Sequence, residues 1–222
     1  MRRPAVKEDT LVVHEIYRSI QGESTFAGLP CTFVRLTGCN LRCTWCDTPQ
    51  AFYGGKRMRR ADVLARALDL GTPLVELTGG EPLLQPGAIT LLRELCDAGK
   101  TALVETSGEA DVSRVDPRVH KIMDLKAPAS GESHRNRWSN LEHLTSRDEL
   151  KFVLAGRGDY EWMRASIREH RLDRRGVALL ASCVWGALAT KDLVDWVLED
   201  ALPVRVQVQL HKVIWGAEAQ GV

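Results

Sequence analysis

The stretch CNLRCTWC places Cys39, Cys43 and Cys46 within a single short loop-like segment. Thiolates at such spacing bind soft metals or carry redox chemistry. Three readings compete. A structural zinc site needs a fourth ligand, from Cys31 or a distant histidine, because such sites are four-coordinate and closed. A thiol pair at Cys43 and Cys46 would act in redox or nucleophilic chemistry. An iron–sulfur cluster on the three thiolates would leave one iron without a protein ligand. Four protein ligands make an electron carrier; three make a carrier that also binds a small molecule. Of the other cysteines, Cys96 sits with Ile89 and Leu92 at helical spacing and reads as a core thiol, Cys31 opens a strand, and Cys183 has no assigned role.

Further chemistry-bearing residues lie elsewhere in the chain. Thr78, Gly79, Gly80 and Glu81 precede Pro82, either as a plain turn or as backbone that approaches a ligand closely. The segment SIQGESTFAG carries Gln21 and Glu23. Arg35 interrupts the apolar run CTFVRLTG, and a buried arginine needs a partner: an internal carboxylate, or a bound anion held in bidentate geometry. In VRVQVQLH, Val204, Val206, Val208 and Leu210 alternate with Arg205, Gln207, Gln209 and His211, which predicts a strand with one polar face, turned to water or to a cavity.

These groups need a frame. Strand-like runs are Leu11–Tyr17, Cys31–Leu36, Leu74–Thr78, Thr101–Glu105, Lys121–Leu125, Glu149–Leu154, Val177–Ala181 and Val204–Leu210. Helix-like stretches are Arg60–Leu70 closed by Gly71, Ala88–Ala98 closed by Gly99, Tyr160–His170, and Lys191–Leu198 with Thr190 as N-cap. Strand–helix alternation predicts an α/β fold on a parallel sheet, doubly wound or a partial barrel. Chemistry in such folds collects where strands end, which is where Cys39–Cys46, Thr78–Glu81, Ser107, Lys126 and Ser182 fall.

Bulk properties narrow the function. Lys plus Arg number 30 against 29 Asp plus Glu, a formal charge of +1, so no general nucleic-acid grip is expected. The segment MRRPAVKEDT has no apolar signal core, and GVALLASCVWGALAT is too short to span a bilayer. The expected compartment is the cytoplasm, with no membrane partner, where thiols stay reduced and a cysteine cluster reads as metal-binding or catalytic.

The CxxxCxxC spacing with Trp45, followed after the next strand by TGGEP, resembles the radical S-adenosylmethionine (SAM) superfamily. Across nearly the whole chain, SIQGESTFAGLPCTFVRLTGCNLRCTWCDT, ELTGGEPLLQ, VETSGE, HKIMDLKAPASGESHRNRW and VQLHKVIWG are similar to the 7-carboxy-7-deazaguanine synthases of queuosine and 7-deazapurine biosynthesis. The resemblance implies an incomplete (β/α) barrel of about six parallel strands with flanking helices, as a single radical SAM domain over residues 1–222. It implies that Cys39, Cys43 and Cys46 hold a [4Fe–4S] cluster whose open iron takes SAM. Trp45, Asp47, Gly79, Gly80, Glu81, Ser107, Lys126 and Ser182 would contact SAM. Ile20, Gln21, Gly22, Glu23, Arg35, Thr78, Glu105 and His211 would hold a small-molecule pterin, 6-carboxy-5,6,7,8-tetrahydropterin, with Arg35 on its carboxylate. Thr48 would bind Mg²⁺, whose retained waters suit a lone hydroxyl ligand. A homodimer and a flavodoxin- or ferredoxin-like electron donor are implied as well. One departure is that many relatives read Ser-Pro where this chain has Ser182-Cys183. Two other readings are a radical SAM activase working on a partner protein and a zinc-stabilised, non-catalytic binding module; neither needs an anion pocket beside the cysteines.

Overall fold

The computed structural model describes residues 8–222, so most of the segment read for a signal peptide lies outside the described residues. The apolar runs form strands β1 (Thr10–Ile20), β2 (Pro30–Leu36), β3 (Lys56–Arg59), β4 (Leu74–Gly79), β5 (Thr101–Thr106), β6 (His120–Asp124), β7 (Glu149–Leu154), β8 (Ala178–Cys183) and β9 (Arg205–Gln207). They make one sheet in the order β3-β1-β2-β4-β5-β6-β7-β8-β9. From β2 onward every neighbour is parallel. The sheet does not close, so the architecture is the expected incomplete barrel.

Helices α1 (Arg60–Asp69), α2 (Pro86–Asp97), α3 (Arg157–Glu169) and α4 (Thr190–Glu199) cover its outer face. One outer core packs Val34, Leu36, Val75, Leu77 and Val104 against Val63, Leu91, Leu92 and Leu95 of α1 and α2. A second packs Leu150, Phe152, Leu154 and Leu179 against Tyr160, Met163, Ile167 and Leu193 of α3 and α4. The alternate residues turn inward, and Cys31, Phe33, Leu74, Leu103 and Ile122 form an apolar floor to the lumen. Strands buried on both faces read as continuous apolar runs, which is why these were visible in the sequence. Gly99 ends α2 at φ +76°: Gly99 N–H donates to Cys96 O and Lys100 N–H to Leu95 O, both at 3.0 Å, a pattern that needs a left-handed residue.

Several elements differ from the sequence expectation. β1 runs antiparallel to both β2 and β3, because no helix separates β1 from β2 to carry a parallel crossover. β3, with sequence KRMR, has too little apolar character to announce itself. Thr190 is the first residue of α4 rather than its cap; Ala189 occupies the N-cap, and the Thr190 hydroxyl bonds the Cys183 thiol instead. The run Val204–Leu210 is strand only over Arg205–Gln207, and Leu210–Trp215 form a short helix, α5. The alternation breaks because Gln207 clasps Ser24 through both its amide atoms, after which the chain leaves the sheet with Val208 exposed and Gln209 buried.

On the outer side of β6 and β7, Asp148 is fully enclosed. It accepts from Lys121 N–H at 2.8 Å, Thr145 N–H at 2.7 Å and the Thr145 hydroxyl at 3.1 Å, and it pairs with the buried Lys121 ammonium at 3.0 Å. Asp148→Ala strands that ammonium, so a loss of about 3–5 kcal/mol is expected in urea unfolding; a loss below about 1 kcal/mol would mean the pair contributes little to the fold.

Candidate functional site

The C-terminal ends of the parallel strands open into a cavity of about 540 Å³, a size suited to a small ligand. Cys39, Cys43 and Cys46 line its rim as free, half-buried thiols. Their loop is pinned from three sides. Thr44 N–H donates to Ser130 O at 3.0 Å, and its hydroxyl reaches Ala129 O and Ser130 O at 3.1 Å. The Arg42 guanidinium donates to Cys39 O at 3.0 Å and lies 4.3 Å from the centroid of Phe52. Behind the loop, Gly80 N–H donates to Leu36 O at 3.2 Å and Glu81 N–H to Gly38 O at 2.8 Å. A Cβ on Gly80 would stand 2.4 Å from Gly38 O and 2.8 Å from Cys39 Cβ, and one on Gly79 would stand 2.4 Å from Leu36 O. The glycine pair is therefore required for protein backbone to pack behind the cysteines, whatever a ligand adds.

Burial pushes the Cys43 thiol up to about 11 against the nearby Lys126 ammonium, and raises Cys39 likewise. Thiols held neutral in this way lose their protons on ligating a metal. Among the described residues no three His, Cys, Asp or Glu side chains converge as a single metal ion requires. A cubane cluster instead distributes its thiolates over different irons, so three free thiols on one loop fit that group.

Below the rim the lumen is polar. The Lys151 ammonium meets Glu23 at 3.0 Å, Asp124 at 3.9 Å and, closest of all, Glu105. Burial alone would lower this lysine; Glu105, Glu23 and Asp124 outweigh it and hold the ammonium well above the ordinary range. Asp124 also pairs with Lys126 at 2.8 Å. Arg35 Nε donates to Glu15 at 2.8 Å and its Nη2 to the Tyr17 hydroxyl at 3.0 Å, while Tyr17 stacks on Phe33 with centroids 5.2 Å apart. The internal ion pair thus exists, and Arg35 still lines the cavity. Gln21 Oε1 accepts from Glu23 N–H at 3.1 Å, and its Nε2 donates to Glu76. Glu23 Oε1 is buried with no hydrogen-bond partner among the described residues, a vacancy suited to a ligand donor. His211, on α5, packs on Gly22, whose added Cβ would fall 2.3 Å from His211 Nδ1. Burial lowers this imidazole below its usual value, so it faces the cavity neutral.

Residues 33–168 match the Radical SAM superfamily. The chain is 44% identical over 227 residues to the 7-carboxy-7-deazaguanine synthase of Koribacter versatilis, covering 95% of this chain and 99% of that one. It is 45% identical over 218 residues to the synthase of that name from Chlorobaculum tepidum, covering 97% and 99%. The chain belongs to the 7-carboxy-7-deazaguanine synthase family of radical SAM enzymes. The crystal structure of QueE from Escherichia coli shares its fold, with TM-score 0.74 at 22% identity over 90% of this chain and 94% of that one. Membership brings the [4Fe–4S] cluster and SAM as the family's cofactors, and these relatives do not favour the activase or zinc-module readings.

Most of the residues singled out in the sequence converge on the synthase cavity: Cys39, Cys43, Trp45, Cys46, Asp47, Thr48, Gly79, Gly80, Ser107 and Lys126 at the rim, Ile20, Gln21, Gly22, Glu23, Arg35, Thr78, Glu105 and His211 around the lumen. Two do not line it. Glu81 is buried and accepts from Ser107 N–H and Oγ at 2.7 Å, from the Thr106 hydroxyl at 2.9 Å and from Leu83 N–H at 3.0 Å, so it shapes the turn. Ser182 is 3% exposed, with its hydroxyl unpartnered among the described residues. Sequence reading passed over Glu15, Tyr17, Glu76, Asp124, Lys151 and Lys212, all of which line the cavity. The signal that marked Arg35, a charge inside an apolar strand, was equally present for Glu76, Asp124 and Lys151.

Gly80→Ala is expected to push the cysteine loop outward. Iron bound per chain after anaerobic reconstitution should then fall well below wild type; an unchanged ratio would show that the loop absorbs the methyl group.

Proposed function

We propose that this chain, as one domain over residues 1–222, converts 6-carboxy-5,6,7,8-tetrahydropterin to 7-carboxy-7-deazaguanine and ammonia, with SAM used catalytically, in queuosine and 7-deazapurine biosynthesis. The observation that carries the reading is that one cavity joins a three-thiol rim to a lumen of buried polar side chains. Cys39, Cys43 and Cys46 would hold the cluster at the rim, where it would supply the electron for SAM cleavage and so the radical chemistry at C6. The conversion is redox-neutral: the pterin loses one ammonia and undergoes no net oxidation.

Within this reading Gly79, Gly80, Trp45, Asp47, Ser107 and Lys126 seat SAM, Glu81 acts by holding Ser107 and the turn, and Ser182, buried behind the wall, supports that seat without touching the cavity. Arg35 receives the substrate carboxylate with the donors left over from Glu15 and Tyr17. Glu23, Glu105, Gln21, Thr78 and His211 meet the polar atoms of the heterocycle beside Ile20 and Gly22. Thr48 binds Mg²⁺; it stands at the N-cap of the 3₁₀ turn Pro49–Phe52, yet its side chain makes no capping bond and remains available. The protein works in the cytoplasm as a homodimer, reduced by a flavodoxin- or ferredoxin-like donor, with no nucleic-acid or membrane partner. The cysteine cluster on one loop supports a reducing compartment and the near-balance of charge supports the lack of a general nucleic-acid grip; among the described residues no helix is long and apolar enough to cross a membrane.

Reconstituted protein incubated anaerobically with SAM, reductant and the pterin should form 7-carboxy-7-deazaguanine with no net loss of SAM; SAM cleavage without pterin turnover would overturn the reading. Cys43→Ala should lose both the cluster and SAM cleavage. Arg35→Ala should keep the cluster and weaken pterin binding by roughly 10- to 100-fold, the scale of a lost charge-assisted hydrogen-bond pair. If Thr48→Ala left the response to added Mg²⁺ unaltered, the metal assignment would fail.

A further inference from the structure

Glu76 is a carboxyl set in an otherwise uncharged buried strand. It is 2% exposed and points into the lumen from β4, a strand otherwise made of Leu74, Val75, Leu77, Thr78 and Gly79. A buried carboxyl is costly unless something binds it. Its side-chain partner is Gln21 Nε2, and the orientation of that amide is set because Gln21 Oε1 already accepts from Glu23 N–H at 3.1 Å. The ammonium whose charge reaches it, Lys151, is engaged by Glu23, Glu105 and Asp124. Glu76 nevertheless lines the cavity.

Its depth is fixed by the sheet register. Arg35 pairs with Thr78, and Phe33 with Glu76, across the parallel β2–β4 ladder. Glu76 therefore lies one pleat repeat below the Arg35 level, about 6.6 Å further from the cysteine rim. A bicyclic pterin that exposes C6 and its carboxylate to the rim must direct its opposite end downward. That end is the pyrimidine edge, where a ring N–H and the 2-amino group present two parallel donors. Two carboxylate oxygens match two parallel donors as they match a guanidinium fork.

We propose that Glu76 is a specificity-determining residue, which accepts from the ring N–H and 2-amino group of the substrate at the bottom of the lumen. The assignment rests on the pterin reading above. Before binding, desolvation and the facing Glu105 and Glu23 favour the protonated carboxyl, against Lys151 and Arg35, and the Tyr17 hydroxyl and Cys31 thiol lie within reach of its charge. Two incoming donors favour the carboxylate instead, so the ligand's own hydrogen bonds complete the site.

The test compares 6-carboxy-5,6,7,8-tetrahydropterin with its analogue lacking the 2-amino group, on reconstituted holoenzyme with SAM under anaerobic conditions. Wild type is expected to bind the amino compound about 100-fold tighter or more, since a lost donor leaves a buried acceptor unpaired. Glu76→Gln keeps the shape but turns an amide N–H₂ toward the ligand's donors; it should reduce the preference to about tenfold or less by weakening the amino compound. Iron content checks that the variant assembles. If it does not, the wild-type ratio decides alone, and equal binding of the two compounds overturns the proposal. Conversion of the pterin with an undiminished preference in Glu76→Gln would overturn the Glu76 assignment only. A wild-type protein that binds no pterin would overturn it together with the reading on which it rests.

Discussion

One buried ammonium governs the interior of this sheet. Lys151 rises from β7 and is met by Glu23 from the loop after β1, Glu105 from β5 and Asp124 from β6. Three carboxylates cannot share a low-dielectric lumen without a cation between them. The network does not end there. Asp124 passes to Lys126, which lies beside Cys43, and Glu23 N–H holds Gln21, which reaches Glu76. A chain of charged and hydrogen-bonded groups therefore runs from the cysteine rim to the lumen floor, and moving any member changes the field on the others.

Around that charged interior, position is set by close backbone contact. Gly79 and Gly80 let the exit of β4 lie directly behind the cysteine loop, and Gly22 lets His211 lie directly on the loop after β1. Leu210 N–H donates to Gly22 O at 3.0 Å, tying α5 to the same loop, and the Lys212 ammonium stands 3.3 Å from Asp47 beside the last cysteine. The short C-terminal helix thus touches both halves of the site. Its importance lies in these contacts rather than in its own stability, since a helix of this length is marginal in isolation.

The sequence disclosed the parallel core well and its margins poorly, for a physical reason. Strands β2 and β4 to β8 are buried on both faces, so composition alone marks them. β3 and β9 sit at sheet edges, where few apolar residues are needed. Residues 204–211 alternated so regularly that a long strand was the natural reading, yet a single tertiary clasp, Gln207 on Ser24, ended it early. The cysteines, Arg35 and His211 were legible as chemistry because their types or spacing are unusual. Lys151 and Glu76 were hidden in runs already explained as strand, although a charge on the inward-facing half of a buried strand calls for the same question as Arg35. Glu81 was legible as a polar group in a turn, but only its four donors show that its carboxylate is consumed locally.

The lumen also explains one loose end in the fold. Glu23 Oε1 lines the cavity and is buried without a partner among the described residues, and such an atom costs about 1–3 kcal/mol. A protein selected for stability alone would pair it or replace it with an apolar group. Here the apolar layer of Cys31, Phe33, Leu74, Leu103 and Ile122 seals the bottom of the sheet, while the outer cores carry the stability. The polar layer between floor and rim is then free to be complementary to something other than the protein itself. A radical centre gains from this division, because a fully hydrogen-bonded ligand held above a dry floor has one face open to the rim and little freedom to react elsewhere.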